Sequence, residues 1–249
     1  MKIVVCIKRV PDTESRIRIA PDGTSIDRSG IKFVISPYDE YALELALRLK
    51  ESSGGGEITV ITVGDASSAE QLRSALAMGA DRAVRLDGEP GLDGLATARS
   101  LAAAVREIEP DLVLAGMKAA DDDQQQVGPM LAVLLDFACI SVVANFDVAN
   151  GRVSAHREIE GGVEHVDAPL PALLTITKTE FEARLPRLQA IMAAKKKPLE
   201  EKTANLQASR IRLHGLTYPP ERPPGRIVGT GADAVAELVR LLREEAKVI

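Results

Sequence analysis

Short apolar runs alternate with helix-period segments through the first half of the chain, and that alternation restricts the fold more than any other feature. Repeats of this kind bury both faces of a parallel sheet beneath crossover helices. Ile3, Val4, Val5, Cys6 and Ile7 read as a buried strand by length and β-branching. Residues 38–50 read as a helix with Tyr41, Ala42, Leu45, Ala46 and Leu49 on one face, stopped by Gly54, Gly55 and Gly56. Strands over 57–63, 83–86 and 112–115 then alternate with helices over about 67–78 and 93–107, and a fourth helix opens near Gln124. The predicted class is α/β, a doubly wound, mostly parallel, Rossmann-like sheet.

The second half changes character. Runs at 139–148, 151–160 and 163–167 are more polar and are separated by Asn150-Gly151 and Gly161-Gly162, which predicts antiparallel hairpins added to the sheet. Residues 172–177 read as one more buried strand. From about 198 the chain turns Pro-rich and polar, with Pro198, Pro219, Pro220, Pro223 and Pro224. A terminal helix over about 232–246 carries Val235, Leu238, Leu241 and Leu242 at helical spacing. An irregular arm of that length is out of place inside a compact domain. The expected division is an α/β domain over 1–198 and a C-terminal arm over 199–249 that lies along another chain.

Several function classes drop out. A formal net charge of -5 opposes general nucleic-acid binding, which needs a basic footprint. With 3% aromatic residues and no Trp, the core must be aliphatic. Cys6 and Cys139 form no CxxC pair and each falls in an apolar stretch, so both are expected as buried thiols in a reducing compartment. No apolar run reaches the roughly 20 residues of a membrane span, and the apolar start is too short for a signal peptide. A cytoplasmic protein without membrane insertion is expected. His156, His165 and His214 are scattered, with no HExxH, no G-x-S-x-G and no nucleophile–base pairing, so no catalytic or metal-ligand residue is assigned. Gly229-Thr230-Gly231 imitates a dinucleotide fingerprint, but the chain stops before the required second strand.

The most informative stretch is Leu112 to Met130, LVLAGMKAADDDQQQVGPM. A buried strand ends at Gly116, a loop of acids and amides follows, and a helix begins; ligands sit at such strand ends. Main-chain N–H groups of Gln125, Gln126 and Val127 at the helix start suit an anion such as phosphate, and Gly128 would allow close approach. Asp121, Asp122 and Asp123 oppose an anion by charge. The pattern alone leaves two readings, a nucleotide site or a loop whose acid caps the helix. A magnesium site is the weaker option, because neighbouring acids in an open loop seldom converge on one ion.

Residues 183–198, ARLPRLQAIMAAKKKP, also admit two readings. Leu185, Leu188, Ile191 and Met192 share one side of a short helix. Either they pack on the chain's own core with a solvated basic end, or they project into a partner's pocket.

VCIKRVPD (5–12), SPYDEYALE (36–44), ALAMGADRAVRL (75–86), GMKAADDDQQQVGPM (116–130), REIEGGVE (157–164) and LQAIMAAKKK (188–197), taken in order, resemble the signatures of electron transfer flavoprotein beta subunits. The resemblance runs from residue 2 to about 200 and, more loosely, through the terminal helix. It implies an electron carrier and not an enzyme: a heterodimer with an alpha subunit that holds most of a redox-active FAD. Electrons would pass from acyl-CoA or other flavin dehydrogenases to a membrane quinone oxidoreductase. The beta subunit would bury its own nucleotide, AMP in the ordinary carriers or a second FAD in the electron-bifurcating ones.

Matched by position, the resemblance assigns the nucleotide to Cys6, Ser36, Pro37, Tyr38, Asp39, Val63, Gly116, Met117, Lys118, Ala119, Ala120, Asp121, Asp122, Asp123, Gln124, Gln125, Gln126 and Val127. The family usually carries Asn where this chain has Ser36. Thr13 falls where the beta subunit approaches its partner's flavin, and Glu158 where an acid faces the alpha subunit. Leu188 matches the anchor leucine of the loop that docks dehydrogenases, with Ile191 and Met192 beside it. The 36–51 stretch is similar to AMP-binding members, and the acid row leaves less room for a second phosphate, so AMP is expected.

Overall fold

A computed structural model describes residues 1–88, 91–205, 208–221 and 224–249, so Pro223 lies outside the described residues. The chain opens with β1 (Lys2–Cys6), the short antiparallel pair β2 (Arg9–Pro11) and β3 (Phe33–Ile35), and α1 (Pro37–Ser52). Next come β4 (Glu57–Gly64), α2 (Ala69–Met78), β5 (Arg82–Asp87), α3 (Gly94–Ile108), β6 (Leu112–Gly116) and α4 (Val127–Leu135). Then follow β7 (Ala138–Ala149), β8 (Arg152–Ile159), β9 (Gly162–Pro169), β10 (Ala172–Ile176), α5 (Leu188–Ala194), β11 (Leu199–Thr203) and α6 (Val235–Glu244).

Nine of these strands form one sheet in the order β11-β5-β4-β1-β6-β10-β7-β8-β9. Every pairing from β11 to β7 is parallel, and β7, β8 and β9 extend the sheet antiparallel. β1 shows why both faces are covered. Ile3 and Val5 join a cluster with Leu43 and Ala46 of α1 and Leu72 and Leu76 of α2. Val4 and Cys6 join a second cluster with Leu101 and Val105 of α3 and Leu131 of α4. Each such Leu, Ile or Val, fully buried, contributes about 1.5–3 kcal/mol. The doubly wound α/β class is therefore the observed one.

Details differ where local chemistry decides. The Asn150-Gly151 turn forms as expected, with both residues at positive φ. The next turn is Glu160-Gly161, because Ile159 already pairs with Gly162. The fourth helix starts at Val127, three residues later than Gln124, since positive φ at Asp123 and Gln125 keeps the loop out of helical geometry. Residues 199–203 are an edge strand and not the start of the arm. Their charges suit an edge: Arg82 pairs with Glu200, Arg85 with Glu201 and Lys202 with Glu107.

Cys6 is buried, but Cys139 is exposed, contrary to expectation. It lies opposite Leu173, which packs in the cluster on the α4 side of the sheet. Gly128, which lines the cavity described below, has a packing role as well. A Cβ there would collide with the Thr175 methyl of β10, so the glycine lets α4 press onto the sheet. Gly128→Ala should lower the urea midpoint of unfolding by an amount equivalent to about 1–3 kcal/mol, the usual cost of overpacking; an unchanged midpoint would contradict this packing.

Candidate functional site

β1 and β6 lie side by side, yet the chain leaves β1 for a helix on one face and β6 for a helix on the other. Strand ends that part in this way open a crevice. A cavity of about 690 Å³ lies there, walled by the ends of β1, β4 and β6, the 117–126 loop and the start of α3.

Asp39, buried in the first turn of α1, spans the crevice floor. Its Oδ2 accepts the Lys8 amide and its Oδ1 the Gly116 amide, both at 2.8 Å. A Cβ on residue 116 would sit 2.5 Å from Asp39 Oδ1 and 2.8 Å from the Tyr38 Cβ, so only glycine fits. Burial pushes the Asp39 carboxyl up to about 7, against the pull of the two amides. Burial, and then Asp39, push the Cys6 thiol up to about 12, which leaves it a neutral, apolar part of the wall.

Two lysines hold the three acids of the loop. Lys8 Nζ reaches Asp121 Oδ1 at 2.7 Å and Asp122 Oδ2 at 2.9 Å, while Lys118 reaches Asp123 at 3.0 Å. Burial lowers the Lys8 ammonium's pKa, but these partners outweigh it and the net direction is upward. No Asp caps α4; Asp122 instead accepts the Gln124 amide at 3.3 Å. Gln125 is left-handed and Gln126 right-handed, a sequence that turns successive N–H groups to one side. Neither amide has an acceptor among the described residues, and α4 begins at the next residue. The result is an anion cradle with the helix dipole behind it. Further along, Arg9 stacks on Phe33 at 3.5 Å, its buried Nε without a partner, and Arg28 pairs with Asp65 at 3.4 Å. Among the described residues no group of three His, Cys, Asp or Glu converges as a metal site.

An apolar arch stands elsewhere on the surface. Leu185 is 91% exposed and Leu188 76%, with Ile191 and Met192 also exposed. They do not pack on the chain's own core, and Leu185 precedes α5 instead of sharing it. Both feet of the arch are fixed. Arg184 grips buried Glu44 at 2.7 Å and Glu51 at 2.5 Å, and Arg73 donates to the carbonyls of Ala194 and Lys197 at 2.8 and 2.7 Å. Lys197 is not solvated as expected; it donates to the Leu76 and Ala80 carbonyls at the end of α2.

The electron transfer flavoprotein domain family matches residues 23–206. The chain is 36% identical over 249 residues, all of both chains, to the electron transfer flavoprotein subunit beta of Bradyrhizobium diazoefficiens. It is 39% identical over 260 residues, again all of both, to that of Bacillus subtilis. This chain belongs to the electron transfer flavoprotein beta subunits. Protein FixA of Azorhizobium caulinodans is also similar, 43% identical over 74% of this chain and 68% of its own.

Of the positions that resemblance to beta subunits implied, Cys6, Asp39, Val63, Gly116, Met117, Lys118, Ala119, Asp121, Asp122, Gln124, Gln125, Gln126 and Val127 line the cavity. Ser36, Pro37, Tyr38, Ala120 and Asp123 are not among its lining residues. Ser36 is buried beneath, its amide donating to the Lys8 carbonyl at 2.9 Å and its hydroxyl unpartnered. Pro37 and Tyr38 open α1, and Asp123 turns to Lys118. Thr13 is exposed beyond β2 and Glu158 near the β8–β9 turn, both outside the cavity lining. Lys8 and Arg9 are lining residues that the site assignment missed, although VCIKRVPD displays both cations directly after the first strand.

Asp39 generates a pH prediction. Its folded pKa of about 7 lies above the ordinary 3.8, so the stability linked to its proton is full below the ordinary value and lost as pH rises through about 7. Urea midpoints should fall between about pH 5 and about pH 8, and Asp39→Asn should flatten that slope while costing about 1–3 kcal/mol, because its amide group faces an N–H donor. A slope equally steep in the variant would refute the assignment.

Proposed function

We propose that this chain is the beta half of a heterodimeric electron carrier and holds an adenine nucleotide, AMP, in the cavity between β1 and β6. The observation that carries this reading is the pair of amides at Gln125 and Gln126, without acceptors among the described residues, ahead of α4 in a loop whose three acids are held by two lysines. Those amides would take the phosphate, and the Cys6–Val63 side supplies apolar wall for the base. The redox chemistry belongs to the FAD held mainly by the alpha subunit. This chain contributes binding, positioning and docking, and no chemical step, so it acts as a carrier subunit in the cytoplasm and not as an enzyme. No described helix is long and apolar enough to cross a membrane.

Leu188, with Ile191 and Met192, would seat in acyl-CoA or other flavin dehydrogenases, and the final acceptor would be a membrane quinone oxidoreductase. Fixed feet support that role, because an anchor held in place loses little freedom on docking. Thr13 would approach the partner's flavin, and Glu158 and α6 would meet the alpha subunit. No residue of α6 is buried, although Val235, Leu238 and Val239 are apolar.

A second reading, FAD in this cavity and electron bifurcation, gains from one observation. The acid row, with Lys8 and Lys118 bound to it, repels a second phosphate far less than the sequence suggests, and Arg9 and Arg28 lie further along the cavity. Denaturing the purified heterodimer and identifying what it releases separates the two. One flavin and one AMP per dimer is the expected result; two flavins and no AMP would replace the first reading with the second. Leu188→Ala should reduce kcat/KM for a dehydrogenase donor by roughly tenfold with dimer and nucleotide content unchanged. Loss of the dimer would instead make the arch part of the subunit interface.

A further inference from the structure

The remaining wall of the cavity comes from the C-terminal arm. Ile211, Arg212, Leu213 and His214 line it, and this short stretch is tied down on both sides. On one side stands Asp93, the residue before α3. Its Oδ1 caps that helix through the Ala96 amide at 2.8 Å, while its Oδ2 accepts the amides of Arg210 and, at 3.2 Å, Ile211. The Asp93 amide in turn donates to the Ser209 hydroxyl at 3.0 Å. On the other side the Leu216 amide donates to the Gly23 carbonyl at 2.8 Å, and the Tyr218 hydroxyl accepts the Ile19 amide at 2.9 Å. Asp93 and the segment between β2 and β3 supply different walls of the cavity, so the stretch between the tethers spans it.

Two features of that span exceed what a connecting segment needs. Arg212 brings a cation to the cavity. Ile211 and Leu213 line it yet remain 65% and 55% exposed, apolar surface that a flat ring beneath would cover. We propose that residues 209–218 form a strap across the mouth of the cavity, that Asp93 is its latch, and that the latched strap sets how slowly the bound nucleotide leaves. The proposal rests on the reading that the cavity holds an adenine nucleotide. One carboxylate serves both helix and strap, so α3 fixes the latch while the strap's grip depends on hydrogen bonds that can open singly. Carboxylate-to-amide bonds are among the stronger kinds, so their loss should register in a rate.

The test uses the heterodimer loaded with radiolabelled AMP and chased with excess unlabelled AMP. Asp93→Ser keeps a good cap for α3 but is too short to reach residues 210 and 211. Tyr218→Phe removes the side-chain half of the opposite tether, leaving the Leu216–Gly23 bond, without touching α3. Each should speed release, the double variant by roughly tenfold or more, and Asp93→Ser should raise hydrogen exchange at the Arg210 and Ile211 amides. Unaltered release from the double variant, with those amides exchanging freely, would overturn the strap and leave the nucleotide reading standing. A wild-type heterodimer that neither contains nor takes up AMP would overturn both.

Discussion

The Asp39 carboxylate, shared between the amides of Lys8 and Gly116, sets the geometry on which the rest of the site depends. Where β1 and β6 end, their partnership in the sheet ends too, and two half-buried N–H donors would be left bare. A side chain from α1 satisfies both. It thereby joins a helix to the ends of two strands at the point where they part. Taking a carboxyl out of water is expensive, and the two amides offset part of that cost. The departure of the 117–126 loop is fixed by Gly116, and Lys8, one amide away, reaches out to two of that loop's acids.

Charge is then distributed by pairing. Three consecutive aspartates look hostile to an anion, but Lys8 holds two of them and Lys118 the third, which offsets two of the three charges beside the free amides ahead of α4. The arch at 185–194 follows a related logic. Polar clamps from Arg184 and Arg73 hold its base, which leaves its apolar side chains bare without leaving them loose.

The core was legible in the sequence because apolar periodicity carries it: β1, α1, β4, α2 and β6 lie where their spacing puts them. What was hidden has a common physical origin. β11 is a polar edge strand, LEEKT, whose single apolar residue, Leu199, gives no period to read. Cys139 misled because an apolar run shows that a face wants cover, not that every position along it is covered. Lys8 and Lys118 were visible as cations, yet their pairing with Asp121, Asp122 and Asp123 depends on a loop path that two left-handed residues create. The arm's hold on the domain runs largely through main-chain amides at Arg210, Ile211 and Leu216, groups that every sequence has and none advertises.

The terminal helix carries a consequence for the life of the protein. α6 presents Val235, Leu238 and Val239 to solvent, with nothing among the described residues to bury them. Bare apolar stripes find each other, so a copy made in excess of its counterpart invites self-association and proteolysis. Supply of the two halves would then have to be matched at synthesis, with the unpaired surplus removed by its own exposed helix.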